Sequence, residues 1–264
     1  GSYWFTMIDL AQLNIENWVS AFFIPFFRIA SFLMAMPMIG TQLVPMRVRL
    51  GLAIVMTAVL VPVLPQPPVL NGLSIDTYLL IAQQVLVGSA LGFSLHIFFQ
   101  VFAVGGQLIA NQMGLGFASM TDPANGVSVV VLGQFYLMLV TLLFLAMDGH
   151  LIIFNVIATS FEILPAAVLN FSSLRLMDIA TAGTWLFSGA LLMSLPAVTS
   201  LLVINLAFGI MTKAAPQLNI FAIGFPLTMT LGLVITWMSL SGFLGQFEVI
   251  ADHALAVIQS LLEQ

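Results

Sequence analysis

Between Thr77 and Thr121 the chain runs for 45 residues without a single Asp, Glu, Lys or Arg. About 20 such residues already cross a bilayer as a helix, so this stretch by itself rules out a fold built only from water-facing amphipathic elements. Two more charge-free runs, Ile179–Thr212 and Ala214–Phe247, add 34 residues each. Only 6% of the chain is charged and 61% is apolar, whereas a soluble domain is about 25% charged. Lipid is therefore the solvent for most of this sequence. In hydrocarbon no water satisfies the backbone N–H and C=O groups, which leaves helices or closed barrels. The apolar runs are long and show no ten-residue alternation, so they read as helices. The expected fold is all-α, a polytopic membrane protein with kinked and broken helices.

The ten acids and five bases leave a net charge of −5, too sparse a set to build a nucleic-acid-binding face. The absence of cysteine excludes disulfides, thiolate metal sites and cysteine nucleophiles. No His-Glu-x-x-His or similar metal spacing occurs, and no cofactor is expected.

A first helix is expected from Ile15 to Ala35, closed by Met36-Pro37, and a second from Val48 to Val61. Pro62, Pro65, Pro67 and Pro68 end the second, because proline lacks a donor and disfavours helical geometry in the residue before it. From Thr77 the pattern is helical again, but 45 residues at about 1.5 Å each would make a rod of roughly 68 Å, twice a bilayer's width. A break is therefore expected inside it, at Gly105-Gly106 and then at Asn111-Gln112-Met113-Gly114-Leu115-Gly116-Phe117, followed by Asp122-Pro123. Irregular backbone at membrane depth needs protein cover or a water-filled path beside it.

A fourth helix is expected from Ser128 to Met147, interrupted at Asp148-Gly149-His150 before a further apolar piece ending near Leu164-Pro165. The last two apolar segments, Ile179–Met211 and Gln217–Leu262, are joined by the short Lys213-Ala214-Ala215-Pro216 and so form an antiparallel hairpin. Each carries a proline, Pro196 and Pro226, and each is expected to kink there. Arg47, Arg49 and Lys213 fall in connectors on one side and Arg175 on the other. The positive-inside rule then puts the first, third and fifth connectors in the cytoplasm and both termini outside.

The run Gly105-Gly106-Gln107-Leu108-Ile109-Ala110-Asn111-Gln112-Met113-Gly114-Leu115-Gly116-Phe117-Ala118, closed by Asp122-Pro123, resembles the signature of the FliR family of flagellar type III export-gate proteins. Four other stretches resemble it in the same order: Pro45-Met46-Arg47-Val48-Arg49-Leu50-Gly51, Gln83 to Gly88, Asp148-Gly149-His150, and Ala215 to Pro226. The resemblance covers nearly the whole chain. Gln107 stands where many relatives carry an acid, and Lys213 where arginine is common. The resemblance implies a single membrane domain, with residues 1–170 similar to the sister subunit FliP and residues 171–264 similar to FliQ. It further implies that the three pack in one helical ring around an export pore. The implied partners are FliP, FliQ, the export-switch protein FlhB and unfolded flagellar proteins, and the implied location is the inner membrane within the flagellar basal body.

Several residues carry specific expectations. Asn111–Pro123 is expected to plug the pore, with Gly105, Gly106, Asn111, Gln112, Met113, Gly114, Gly116, Phe117, Met120, Asp122 and Pro123 as its residues. Its glycines let backbones approach, while Met113, Phe117 and Met120 supply deformable apolar bulk. The competing reading is an ordinary glycine-rich turn between packed helices. Arg28 lies inside an apolar helix, where a central charge costs about 3 kcal/mol. It is expected either to pair with an acid, in this chain or a neighbouring one, or to snorkel about two turns to the helix end. Arg28, Arg47, Arg49 and Lys213 form the candidate intramembrane or intersubunit polar set. Asp148 and His150 read more simply as a polar turn than as a proton relay. Ser89, Ser188 and Ser241 have glycine neighbours but no Gly-x-Ser-x-Gly elbow, and Gly88, Ser89 and Gly92 read as helix-packing residues. Two other functions compete with the export gate. A secondary transporter would also use broken helices, and an intramembrane hydrolase survives only formally.

Overall fold

The computed structural model describes residues 15–40, 44–68, 74–115, 131–166, 176–215, 217 and 223–262. Among them the regular elements are all helical: α1 (Ile15–Ala35), α2 (Met46–Leu60), α3 (Ile75–Gln112), α4 (Val131–Ala146), α5 (Gly149–Ile163), α6 (Leu176–Ala214), α7 (Phe225–Ser239) and α8 (Phe243–Leu262). A 3-10 turn, Leu240–Gly242, joins α7 to α8. Four of these helical runs are long and apolar enough to cross a membrane: α1, α3, α6 and the α7–α8 run. The broken pair α4 and α5 makes a fifth if counted as one span.

The chain divides into two compact units. One comprises Gly1–Phe93, Leu151–Leu174 and Leu262–Gln264, the other Ser94–His150 and Arg175–Leu261. In the first unit α2 packs on α1, and α3 crosses α1 at two glycines. A Cβ added to Gly88 would collide with the Arg28 carbonyl and the Ser31 hydroxyl, and one on Gly92 would lie 2.6 Å from the Phe32 carbonyl oxygen. These glycines have the helix-packing role expected of them: without a side chain at either position, the two backbones close up and dispersion contacts multiply.

The second unit is organised around aromatic rings. Phe98, Phe99 and Phe102 of α3 are buried and meet Phe144 of α4 and Phe243 and Phe247 of α8. Ring centroids stand 5.3 Å apart for Phe99–Phe144, 5.7 Å for Phe98–Phe247 and 5.6 Å for Phe102–Phe243, in edge-on geometry. That geometry sets the positive ring edge against the negative face and adds to the area these rings bury. α6 and α7 pack together, as a hairpin around Lys213-Ala214-Ala215 requires.

Two sequence expectations need correction. α3 does not break at Gly105-Gly106 but runs on for 38 residues. Both glycines are buried in it, and a Cβ on Gly106 would lie 2.7 Å from the Leu132 carbonyl oxygen and from the Tyr136 ring. Close packing here outweighs the roughly 1 kcal/mol that a helical glycine costs. Pro226 lies not deep inside the segment but in the first turn of α7, directly after the π-helical backbone of Ile223 and Gly224, and a helix start accommodates its fixed φ. A further irregularity of that final segment falls at the 3-10 turn Leu240–Gly242. Pro196 does lie within α6, and Pro25, to which the sequence reading assigned no role, lies within α1.

Candidate functional site

In the first unit, Arg28 is the largest fully buried side chain, 1% exposed. Its Nε–H donates to Gln84 Oε1 at 2.8 Å. Its Nη1 donates to the Ser160 carbonyl at 2.7 Å and to Ser160 Oγ at 3.3 Å, and Nη2 donates to the Leu164 carbonyl at 2.8 Å. The guanidinium also stands 4.1 Å from the centroid of the Phe161 ring. Arginine has no acceptor, so the oxygen of the Gln84 amide must be the atom that faces it. Ser160 and Leu164 sit at the C-terminal end of α5, where unpaired carbonyls and the macrodipole concentrate negative potential.

Among the described residues of the chain, neither an acid partner nor snorkelling along α1 describes Arg28. It serves as the C-terminal cap of another helix, and the α5 dipole takes the place of the anion. Gln84 Nε2, also buried, has no partner among the described residues.

In the second unit, α3 ends in a left-handed glycine cap. Gly114 has φ +81°, its N–H donates to the Asn111 carbonyl at 3.0 Å, and the Leu115 N–H donates to the Ala110 carbonyl at 3.1 Å. This pair of bonds is the Schellman pattern, which satisfies two of the carbonyls a helix end leaves open. The Gln112 carbonyl accepts from Asn205 Nδ2 of α6 at 3.0 Å. Met113 is buried, 1% exposed, and lies against Gly232 of α7. Gln107 Nε2 donates to Asn111 Oδ1 at 3.2 Å on the exposed side of the helix.

Of the expected plug residues, Gly105, Gly106, Asn111, Gln112, Met113 and Gly114 are thus placed on α3 and its closing turn. Gly116, Phe117, Met120, Asp122 and Pro123 lie outside the described residues, as does Arg175. Arg47 is exposed at the start of α2, and Arg49 donates to the Val44 carbonyl at 3.0 Å. Lys213 is exposed in the last turn of α6, where a cation complements the dipole.

The three serines with glycine neighbours are occupied locally, whereas Gln107 Oε1 and Thr236 Oγ1 are buried with no partner among the described residues. Ser89, Ser188 and Ser241 each donate to the carbonyl three residues earlier, at 2.9 to 3.0 Å, Ser241 from the 3-10 turn back to Met238 of α7. Asp148 has φ +58° and, like His150, is exposed, which fits a polar turn between α4 and α5. His253 stacks on Trp185 with centroids 5.0 Å apart, at the edge of an apolar groove of about 640 Å³ between α6 and the α7–α8 run. No group of three metal-ligating side chains occurs among the described residues.

The sequence reading missed Gln84, Ser160 and Asn205 as the polar partners in these sites. A signal existed for two of them. Gln84 lies within the charge-free run that faces a helix carrying an arginine, and Asn205 is the sole amide side chain in Ile179–Thr212.

Residues 19–254 match the family model for bacterial export proteins, family 1. The chain is 36% identical over 258 residues to a flagellar biosynthetic protein FliR of Pectobacterium carotovorum subsp. carotovorum, covering 97% of this chain and 96% of the relative. It is 37% identical over 227 residues to that of Escherichia coli (strain K12), covering 86% and 87%. To that of Bacillus subtilis (strain 168) it is 31% identical over 233 residues, covering 86% and 89%.

Proposed function

The chain belongs to bacterial export protein family 1, together with flagellar biosynthetic proteins FliR, and from that premise we propose that it lines part of the path by which unfolded flagellar proteins leave the cell. It is a membrane-embedded component of the flagellar export apparatus. Its role is structural, not enzymatic: it supplies wall and seal, and the driving force comes from elsewhere. Its partners are the sister subunits FliP and FliQ and the switch protein FlhB, in the inner membrane at the flagellar basal body. Residues 1–170 take the place of a FliP-like part of the ring and 171–264 that of a FliQ-like part.

Asn111–Pro123 seals the idle pore. The observation that carries the reading is the family match over nearly the whole chain, and the cap at Met113–Leu115 supports it physically. A helix that stops at a left-handed glycine ends in a hydrogen-bonded turn rather than a frayed one. Methionine thioethers repack around varied side chains, which suits a seal that must yield to many sequences. Arg28, Arg47, Arg49 and Lys213 serve as intramembrane and intersubunit polar contacts. The solute-transporter alternative draws no support from a family of export proteins.

Replacing Met113, Phe117 and Met120 together by alanine tests the seal. The assembled gate in a planar bilayer is expected to conduct ions at rest, where the unaltered gate does not. An intact assembly that stays electrically tight after the triple change contradicts the plug.

A further inference from the structure

We infer that Asn205, Phe225 and Gly232 are positioning residues that fix the direction in which the chain leaves α3. Together they hold the turn Met113–Leu115 as a preset root. The inference rests on the plug reading only for what that root serves.

The turn is held at three consecutive residues by two helices other than its own. The Schellman pair accounts for the carbonyls of Ala110 and Asn111 and leaves that of Gln112. Asn205 Nδ2, 93 residues further along, supplies the missing donor at 3.0 Å. The next residue, Met113, turns its side chain against α7 at a position with no Cβ. One added to Gly232 would stand 2.8 Å from Met113 Cε and 2.9 Å from its Sδ. Gly232 is therefore a notch cut to the methionine. The residue after that, Gly114, lies under the Phe225 ring, whose Cζ would be 3.0 Å from a Cβ placed there.

A helical cap alone would leave the exit direction to its own two hydrogen bonds. Three tertiary contacts on 112, 113 and 114 over-determine it. They also join two stretches singled out in the sequence for separate reasons, Gly105–Ala118 and Ala215–Pro226, since Phe225 of the second covers Gly114 of the first. A displacement of the α6–α7 hairpin is transmitted directly to the root.

The test is amide hydrogen exchange at Gly114 and Leu115 in the gently extracted assembly of the full chain. Asn205→Leu and Gly232→Ala are each expected to speed exchange about tenfold, the factor set by losing one net hydrogen bond or its equivalent in packing. Gly51→Ala, on a helix position where a Cβ meets nothing within 4 Å, is expected to leave it unchanged. Adding Met113→Ala to Gly232→Ala should return exchange to the level of Met113→Ala alone, because the collision is gone. Unchanged exchange in Gly232→Ala overturns the assignment, and that variant decides the matter even if Asn205→Leu does not assemble. The resting conductance of the same variants separates the two readings. Faster exchange with a tight pore leaves the root assignment standing and removes the plug, whereas faster exchange with a leak supports both.

Discussion

α3 and α6 are almost equal in length, 38 and 39 residues, and both are nearly charge-free. Yet 61% of the membrane-span window of α3 is buried and only 22% of that of α6. Their glycines differ in the same way. Gly88, Gly92, Gly105 and Gly106 of α3 are each pressed against another part of the chain, whereas of the three α6 glycines only Gly189 meets a neighbour, Val101 of α3, and Gly183 and Gly209 face open space. Large apolar side chains such as Leu192, Val203 and Leu206 are exposed along α6. Apolarity alone therefore does not distinguish a helix that forms the core from one that meets something outside the chain. What distinguishes them is where the small residues find a neighbour.

The largest expected effect breaks the α3 side of this comparison at its polar anchor. Arg28→Ala strands the Gln84 Oε1 and Leu164 carbonyl acceptors, while the Ser160 carbonyl keeps the Leu164 N–H, and leaves a cavity, at a cost of about 3 kcal/mol or more. Gln84→Leu removes one bond to a charged group and costs about 2 kcal/mol. Both are read by thermal unfolding of the detergent-solubilised chain. Next in size, Gly88→Val drives a branched side chain into the α1 backbone and should cost about 2 kcal/mol by overpacking.

The opposite sign is expected on α6. Gly209→Ala should stabilise the isolated chain by up to about 1 kcal/mol through helix propensity. At the same time it should lower the yield of assembled gate if, as proposed above, a sister subunit packs on that face. Equal losses from Gly88→Val and Gly209→Ala in the isolated chain would abolish the distinction between the two helices. Lys213→Ala, at an exposed helix end, should change stability by about 0.5 kcal/mol or less, measured by the same unfolding assay.

Much of the fold was legible because lipid leaves the backbone few choices. The span of α1 and the turn at Asp148 follow from apolar run length and polar punctuation. Gly105-Gly106 was misread because glycine signals a break only when nothing packs against it, and the Leu132 and Tyr136 of α4 that do so are far away in sequence. Pro226 was misplaced because periodicity does not locate a helix start to within two residues once a polar run has blurred it. The partners of Arg28 lie 56 to 136 residues away. An arginine in an apolar helix announces that it needs acceptors without naming them, and the reading that it wants an acid overlooked the negative end of a helix. The cap at Gly114 was visible in Gln112-Met113-Gly114, but its bond from Asn205 depends on how α6 packs.

In the proposed assembly the exposed apolar faces of α6, α7 and α8 are covered by other membrane subunits. Native mass spectrometry of the chain extracted gently from its membrane measures this directly. The expected result is a discrete complex that holds this chain with other small integral membrane proteins and loses them only under harsher detergent. A chain that emerges alone, monodisperse and folded under the mildest extraction would contradict it.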